Sequence, residues 1–191
     1  MRRLLAAVLA ATLAGGSDED VVERLHVRFE AANLAGTSCR DAISRHLEPG
    51  EAAIHFQYHV SGEPVRGSER YTGRVTFSLG DVVIITPASI TWPHMTELDR
   101  EHVEALRRAI YHHEVGHVRV AEALRDELNA RPPIVAPDAF AFRAAADALG
   151  REGFDRFNHD ERAYDDLTDH GRKQHAAPGV LAGPDTAIVC R

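Results

Sequence analysis

Hydrophobic positions along the chain change period once, near residue 93, and the change divides it into a strand-rich and a helical half. In the first half Val21, Leu25, Val27 and Phe29 fall on alternate positions, broken only by Glu23, and predict a strand over Val21–Phe29. Thr37-Ser38 is a cap for a helix running to about Leu47, stopped by Pro49-Gly50. Ile54, Phe56, Tyr58 and Val60 alternate with His55, Gln57 and His59, which predicts another strand and gives those two histidines to solvent rather than to a metal. Strands over Tyr71–Leu79 and Asp81–Thr86, joined by a tight turn at Gly80, complete an expected antiparallel sheet.

In the second half the spacing becomes three and four. Leu106, Ile110, His113, His117, Val120, Leu124 and Leu128 form one stripe, predicting a helix from about Glu97 to Ala130. Thr96 and Asp99 resemble a capping box at its start, and Arg131-Pro132-Pro133 stops it. A second helical region begins near Asp138, has candidate breaks at Gly150 and Gly153, and continues through Asn158 to about Lys173. The tail Ala176–Arg191 reads as loop apart from Ile188-Val189 beside Cys190. The fold class is therefore α+β: an antiparallel sheet packed on two long helices.

Two of the inward positions are imidazoles. His113-Glu114-Val115-Gly116-His117 is an H-E-x-x-H sequence, and helical geometry puts residues four apart on one face. Two imidazole nitrogens can then meet one cation while Glu114 stands beside an open coordination position, the arrangement of zinc hydrolases. An unpaired imidazole away from water costs about 1–3 kcal/mol, and a shared ion satisfies both. The alternative is a pair of ordinary core histidines in a chain that holds 12.

Length and charge narrow the setting. At 191 residues and 44% hydrophobic the chain supports one well-buried domain. Met1-Arg2-Arg3, the apolar run Leu4–Leu13 and Ala14-Gly15-Gly16 have the three regions of a secretory signal, with cleavage expected before Ser17 and a single domain over 17–191. The run is too short for a stable span, so the mature protein is expected to be soluble outside the cytoplasm, with a short uncleaved anchor as the alternative. Losing residues 1–16 removes Arg2 and Arg3 and no acid, so the formal charge of −7 becomes −9. That balance argues against a nucleic-acid partner. Cys39 and Cys190 are the only cysteines; in an oxidising compartment they predict one disulfide, worth about 4–5 kcal/mol in the chain-entropy model, against the alternative of two free thiols.

Catalytic zinc takes three protein ligands and a water. Val120 and Ala123 stand where the metzincin extension requires Gly and His, and Glu127 is too far along a straight helix. The second helical region is the remaining source of a ligand. It carries Tyr164-Asp165-Asp166-Leu167-Thr168-Asp169-His170-Gly171, with His170 at the inward edge of the pattern set by Ala163 and Leu167. With the H-E-x-x-H helix, a Y-D-x-x-T-x-H-G element matched by Tyr164, Asp165, Thr168, His170 and Gly171 resembles a bacterial family of predicted secreted zinc-dependent proteases, a domain of unknown function. The resemblance implies a zincin-like fold and a peptidase with His113, His117 and His170 as zinc ligands. It extends more loosely over the strand-rich half. Arg119 departs from the apolar residue that many zincin helices carry there, which bears on local packing.

Chemistry then suggests roles. Glu114 accepts a proton from zinc-activated water and passes it to the leaving amine. Tyr164 either donates to the tetrahedral oxyanion or packs in the core with its hydroxyl satisfied. Asp166 is a candidate for orienting a ligating imidazole or for ligation itself, while Asp165, Asp166 and Asp169 together also read as a solvated acidic face. His112 and His159 read as surface. Gly116 either makes room for a neighbour or is merely tolerated. A secreted zinc metallopeptidase acting on peptides or proteins is the favoured reading. A non-catalytic exported zinc-binding module and a metal-free envelope interaction domain are the others.

Overall fold

The computed structural model describes residues 16–44, 51–186 and 190; the expected signal segment lies almost entirely outside them. The first described element is a helix, α1 (Asp18–Arg24), where alternation predicts a strand. Its N-terminus explains the difference. Ser17 and Asp20 form a reciprocal capping box, and three acids occupy the first turn, where the helix dipole favours them. Val21 and Leu25, two steps apart in a strand pattern, are also four apart, and both pack into the core cluster of Val82, Ile84, Val115 and Val118. The chain reverses at His26, in the left-handed region, before β1 (Arg28–Ala35).

A short helix, α2 (Cys39–Ser44), follows, with Ser38 Oγ accepting from the Asp41 amide at 3.2 Å; the expected continuation to Leu47 falls outside the described residues. Next come β2 (Glu51–Pro64) and β3 (Tyr71–Thr91). No turn occurs at Gly80. β3 is one strand of 21 residues, and β2 is long enough to pair with both of its halves. The predicted interruption appears instead as a bulge, because Ile54 pairs with Val82 and Phe56 with Leu79, so β3 advances one residue more than β2. The sheet order is β1-β3-β2, and β1 runs parallel to β3, so the sheet is mixed rather than antiparallel. β3 thus lies between β1 and β2, the strand that follows β1 in sequence.

Helix α3 (Glu97–Asn129) starts at the expected Thr96–Asp99 capping box and ends just before Pro132-Pro133. Its last residue substitutes for a strand. The Asn129 side chain accepts from the Phe77 amide at 2.8 Å and donates to the Phe77 carbonyl at 2.9 Å, along an edge of β3 that lies between the stretches paired with β1 and with β4 (Ile134–Ala136). Helix α4 (Ala139–Thr168) is continuous through Gly150 and Gly153. Those glycines do not break it because they let it sink onto the sheet: a β-carbon at Gly150 would collide with the Tyr58 ring, and one at Gly153 with Phe77. Phe56 stacks on Phe157 of α4 with centroids 4.9 Å apart, closing the core between sheet and helices.

α4 ends at Thr168, earlier than the spacing suggests, and two short 3₁₀ turns follow, Gln174–Ala176 and Gly179–Leu181. A disulfide joins Cys39 to Cys190, while Ile188 and Val189 lie outside the described residues. Among the described residues no helix is long and apolar enough to cross a membrane.

Candidate metal centre

The stripe Leu106, Ile110, His113, His117 turns inward as its spacing requires, and both histidines are buried, at 5% and 7% exposure. Their rings stand nearly perpendicular, with centroids 4.9 Å apart. The facing residues come from the last two turns of α4, where Glu161, Tyr164, Asp165 and Thr168 follow one another at i, i+3, i+4 and i+7. Asp165 Oδ1 lies 3.3 Å from His113 Nε2 and 3.2 Å from His117 Nε2. These three ligand atoms lie within 4.8 Å of one another, and among the described residues they form a cluster able to hold a metal ion.

The opposite ring nitrogens are held from behind. His117 Nδ1 is 2.8 Å from Glu161 Oε2, and His113 Nδ1 is 3.0 Å from Gln174 Oε1. Each acceptor takes an Nδ1 proton, so Nε2 faces the other ligand atoms and is the nitrogen available to a metal. Burial pulls the His117 imidazole down, but its bonds to Asp165 and Glu161 and their charges outweigh this and raise it to about 10. Burial likewise works against the Asp165 carboxylate, and the two imidazoles overcome it and hold its pKa well below the usual range. Glu114, 5% exposed, and Glu161 are both pushed upward by burial, opposed by His117. Glu161 Oε1 is buried with no hydrogen-bond partner among the described residues. Three carboxylates and two imidazoles gathered out of water suit a divalent cation, whose charge offsets the desolvation.

Tyr164 is fully buried and stacks on His113 at 5.1 Å. Its hydroxyl accepts from Gln174 Nε2 at 2.7 Å and donates to the His113 carbonyl at 3.3 Å, so both of its functions are committed to the core, the second of the two roles its sequence position allows. Gly116 makes room for it, since a β-carbon there would collide with the phenol oxygen. Thr168 Oγ1 donates to the Tyr164 carbonyl at 2.9 Å and accepts from the Gly171 amide at 3.3 Å, finishing the helix. Asp169, His170 and Gly171 then adopt three consecutive left-handed conformations, with φ of 52°, 51° and 80°. That turn brings His170 Nδ1 to 3.5 Å from Asp165 Oδ1, with the imidazole 56% exposed at the rim.

Sequence and structure differ over the acids. Asp166, a candidate for orienting or ligation, is exposed, in keeping with the solvated acidic face that is its alternative, whereas its neighbour Asp165 leaves that face and enters the cluster. Glu161 and Gln174 carry no motif, yet they hold the two histidines; the four-residue spacing of Glu161 and Asp165, matching that of His113 and His117, is the signal for the first of them. His112 is not a surface residue. It is half-buried, with Nδ1 2.7 Å from Asp18 Oδ2 and Nε2 3.3 Å from the Leu181 carbonyl. Arg119 is buried in the helix because Asp18 and the Gly16 carbonyl accept from its Nη2 at 3.0 and 2.8 Å. Glu122 and Glu127 pair with Arg24 and Arg156, and His159 lines a shallow groove along α4 with Arg151, Asp155 and Arg156.

A family model described as "Bacterial protein of unknown function (DUF922)" matches residues 32–171, from β1 to the turn that ends α4. The chain belongs to the DUF922 family. The DUF922 region contains all three clustered ligand atoms, Glu114, Glu161 and His170, but neither α1 nor Gln174. Neither a curated protein nor a solved structure is found to match the chain.

Proposed function

We propose that this DUF922 protein is an exported metallopeptidase that hydrolyses peptide bonds with zinc held by His113, His117 and Asp165. The observation that carries the reading is the meeting of both Nε2 atoms at Asp165 Oδ1, with Glu114 buried on the same helix. Two imidazoles and one carboxylate are a donor set of catalytic zinc. When bound, the cation supplies Lewis acidity to a carbonyl and acidifies water beside it. Glu114 accepts the proton of the attacking water and hands it to the departing amine; burial, which raises its pKa, suits it to both steps. His170, expected as a ligand, is on this reading the donor to the carbonyl oxygen, since it is largely exposed and borders the same carboxylate. Tyr164 acts as a positioning residue. Export is supported by the N-terminal pattern and the Cys39–Cys190 bridge.

The test is hydrolysis of an unstructured protein by zinc-loaded wild type, Glu114→Gln and His170→Ala. Glu114→Gln should keep its zinc and lose activity; undiminished hydrolysis by it sinks the mechanism. His170→Ala should keep its zinc and lose kcat, whereas loss of zinc would return His170 to the ligand set. A second reading, a non-catalytic module in which the ion pins α3 to α4, draws on the way Asp165 bridges both histidines. It predicts metal binding in every preparation and no hydrolysis in any.

A further inference from the structure

Beyond residue 171, where the family match ends, the chain turns back against the motif helix. Gln174 is wholly buried there. Its Nε2 donates to the Leu181 carbonyl at 2.6 Å and to the Tyr164 hydroxyl at 2.7 Å, so the amide orientation is settled and Oε1 is left as the acceptor for His113 Nδ1. Leu181 is itself fully buried against Val120, Tyr164 and Ala177, and its carbonyl also accepts from His112 Nε2. The Thr186 amide donates to the Gly171 carbonyl at 2.9 Å, closing this segment on itself. Cys190 is bridged to Cys39 at the start of α2, and α2 packs through Ala42 against Val103, Leu106 and Ile110 of α3. The tail is thus fastened to α3 at two levels, directly at His112 and His113 and through the disulfide nearer the start of that helix.

We propose that the C-terminal segment is a disulfide-tethered brace that presets the tautomer and direction of His113, so that opening Cys39–Cys190 weakens cation binding at a site to which neither sulfur is a donor. The proposal rests on His113 being a metal ligand, as in the function proposed above. Gln174 is the positioning residue and the bridge holds it in place. Opening takes two electrons and two protons from a dithiol, which leaves as its own disulfide, and yields the Cys39 and Cys190 thiols. Such a site binds metal well in an oxidising compartment and poorly in a reducing one.

The experiment titrates the exported chain with Zn²⁺ alone against a chelating dye, comparing the parent, Gln174→Ala and the double variant Cys39→Ser/Cys190→Ser. Gln174→Ala should bind about 10–100-fold more weakly, the usual effect of removing a partner behind a ligating imidazole. The double variant should bind about 5-fold more weakly or worse, the low end of couplings between separate sites. A folded variant of either kind that binds as the parent does overturns the proposal. A metal-free readout separates it from the metallopeptidase reading: ¹⁵N spectra of the His113 ring should show Nδ1 protonated in the parent and only partly so in both variants. If the parent binds no zinc, the functional reading fails, and unaltered Nδ1 protonation in the variants overturns the brace independently. Should the double variant not fold, the parent opened by a dithiol, at a temperature where its far-UV dichroism persists, is read by its Nδ1 protonation instead.

Discussion

The hydroxyl of Tyr164 fills the space that a side chain at position 116 would need, so the glycine inside the H-E-x-x-H sequence and a phenol 48 residues later (164 − 116) are one packing unit. Gly116→Ala gains about 1 kcal/mol of helix propensity and meets a buried ring with no room to move. The expected outcome is a net loss of about 1–3 kcal/mol by urea denaturation, since overpacking outweighs propensity. Tyr164→Phe in the same chain should recover part of it. Additive effects of the two changes would refute the contact.

Asp165 and Asp166 are adjacent, and the fold separates their fates. Asp165→Ala should reduce Zn²⁺ affinity by more than the roughly 10–100-fold expected for removing a group behind a ligand. Asp166→Ala, at an exposed position, should leave it unchanged. Isothermal titration of both variants decides, and the reverse ranking would remove Asp165 from the centre.

Metal-free protein should lose stability as pH rises. His117 is raised from an ordinary value of 6.5 to about 10 in the fold, so its contribution is fully present below about 6.5 and disappears through about 10. Asp165 has the opposite sign: its depressed pKa contributes above the ordinary carboxylate value of 3.8 and the contribution fades as pH falls toward the lowered one. Denaturation of chelator-treated protein between pH 6.5 and 10 should therefore show a decline, and bound zinc, which displaces the Nε2 proton, should remove it. A flat profile without metal counts against the His117–Asp165 pair.

Zinc at about 100 times its dissociation constant should raise unfolding free energy by roughly 2.7 kcal/mol. His117→Ala should abolish the shift in melting temperature. An equal shift in that variant would locate the ion elsewhere.

Asn129 holds both backbone groups of Phe77 on the edge of β3 opposite β2, between the stretches paired with β1 and with β4. Asn129→Ala leaves them without that partner, at about 1–3 kcal/mol for each group that water does not reach. Faster hydrogen exchange at the Phe77 amide, with metal affinity preserved, is the expected signature.

Local rules were sufficient for α3. Its stripe and capping box set its face and start, and with them the inward direction of His113 and His117. The exposure of His55 and His59 follows equally from alternation along β2. At Val21 and Leu25 the same kind of evidence was ambiguous, because positions four apart satisfy both periods, and the capping box decided for helix. Gly80, Gly150 and Gly153 read as punctuation because a sequence displays the missing side chain and not the ring or strand that occupies its space.

By itself, then, the sequence determined an α+β chain, a helix with two imidazoles on its buried face, the acid beside them and two cysteines available to pair. Only the tertiary structure decided that Asp165 rather than Asp166 faces those imidazoles, that Glu161 and Gln174 stand behind them, and that Tyr164 needs Gly116. The physical reason lies in what each depends on. Periodicity and capping act within a few residues of one element, whereas the donor set depends on the rotation and depth at which α4 and the tail pack against α3, and packing between segments remote in sequence has no local signature.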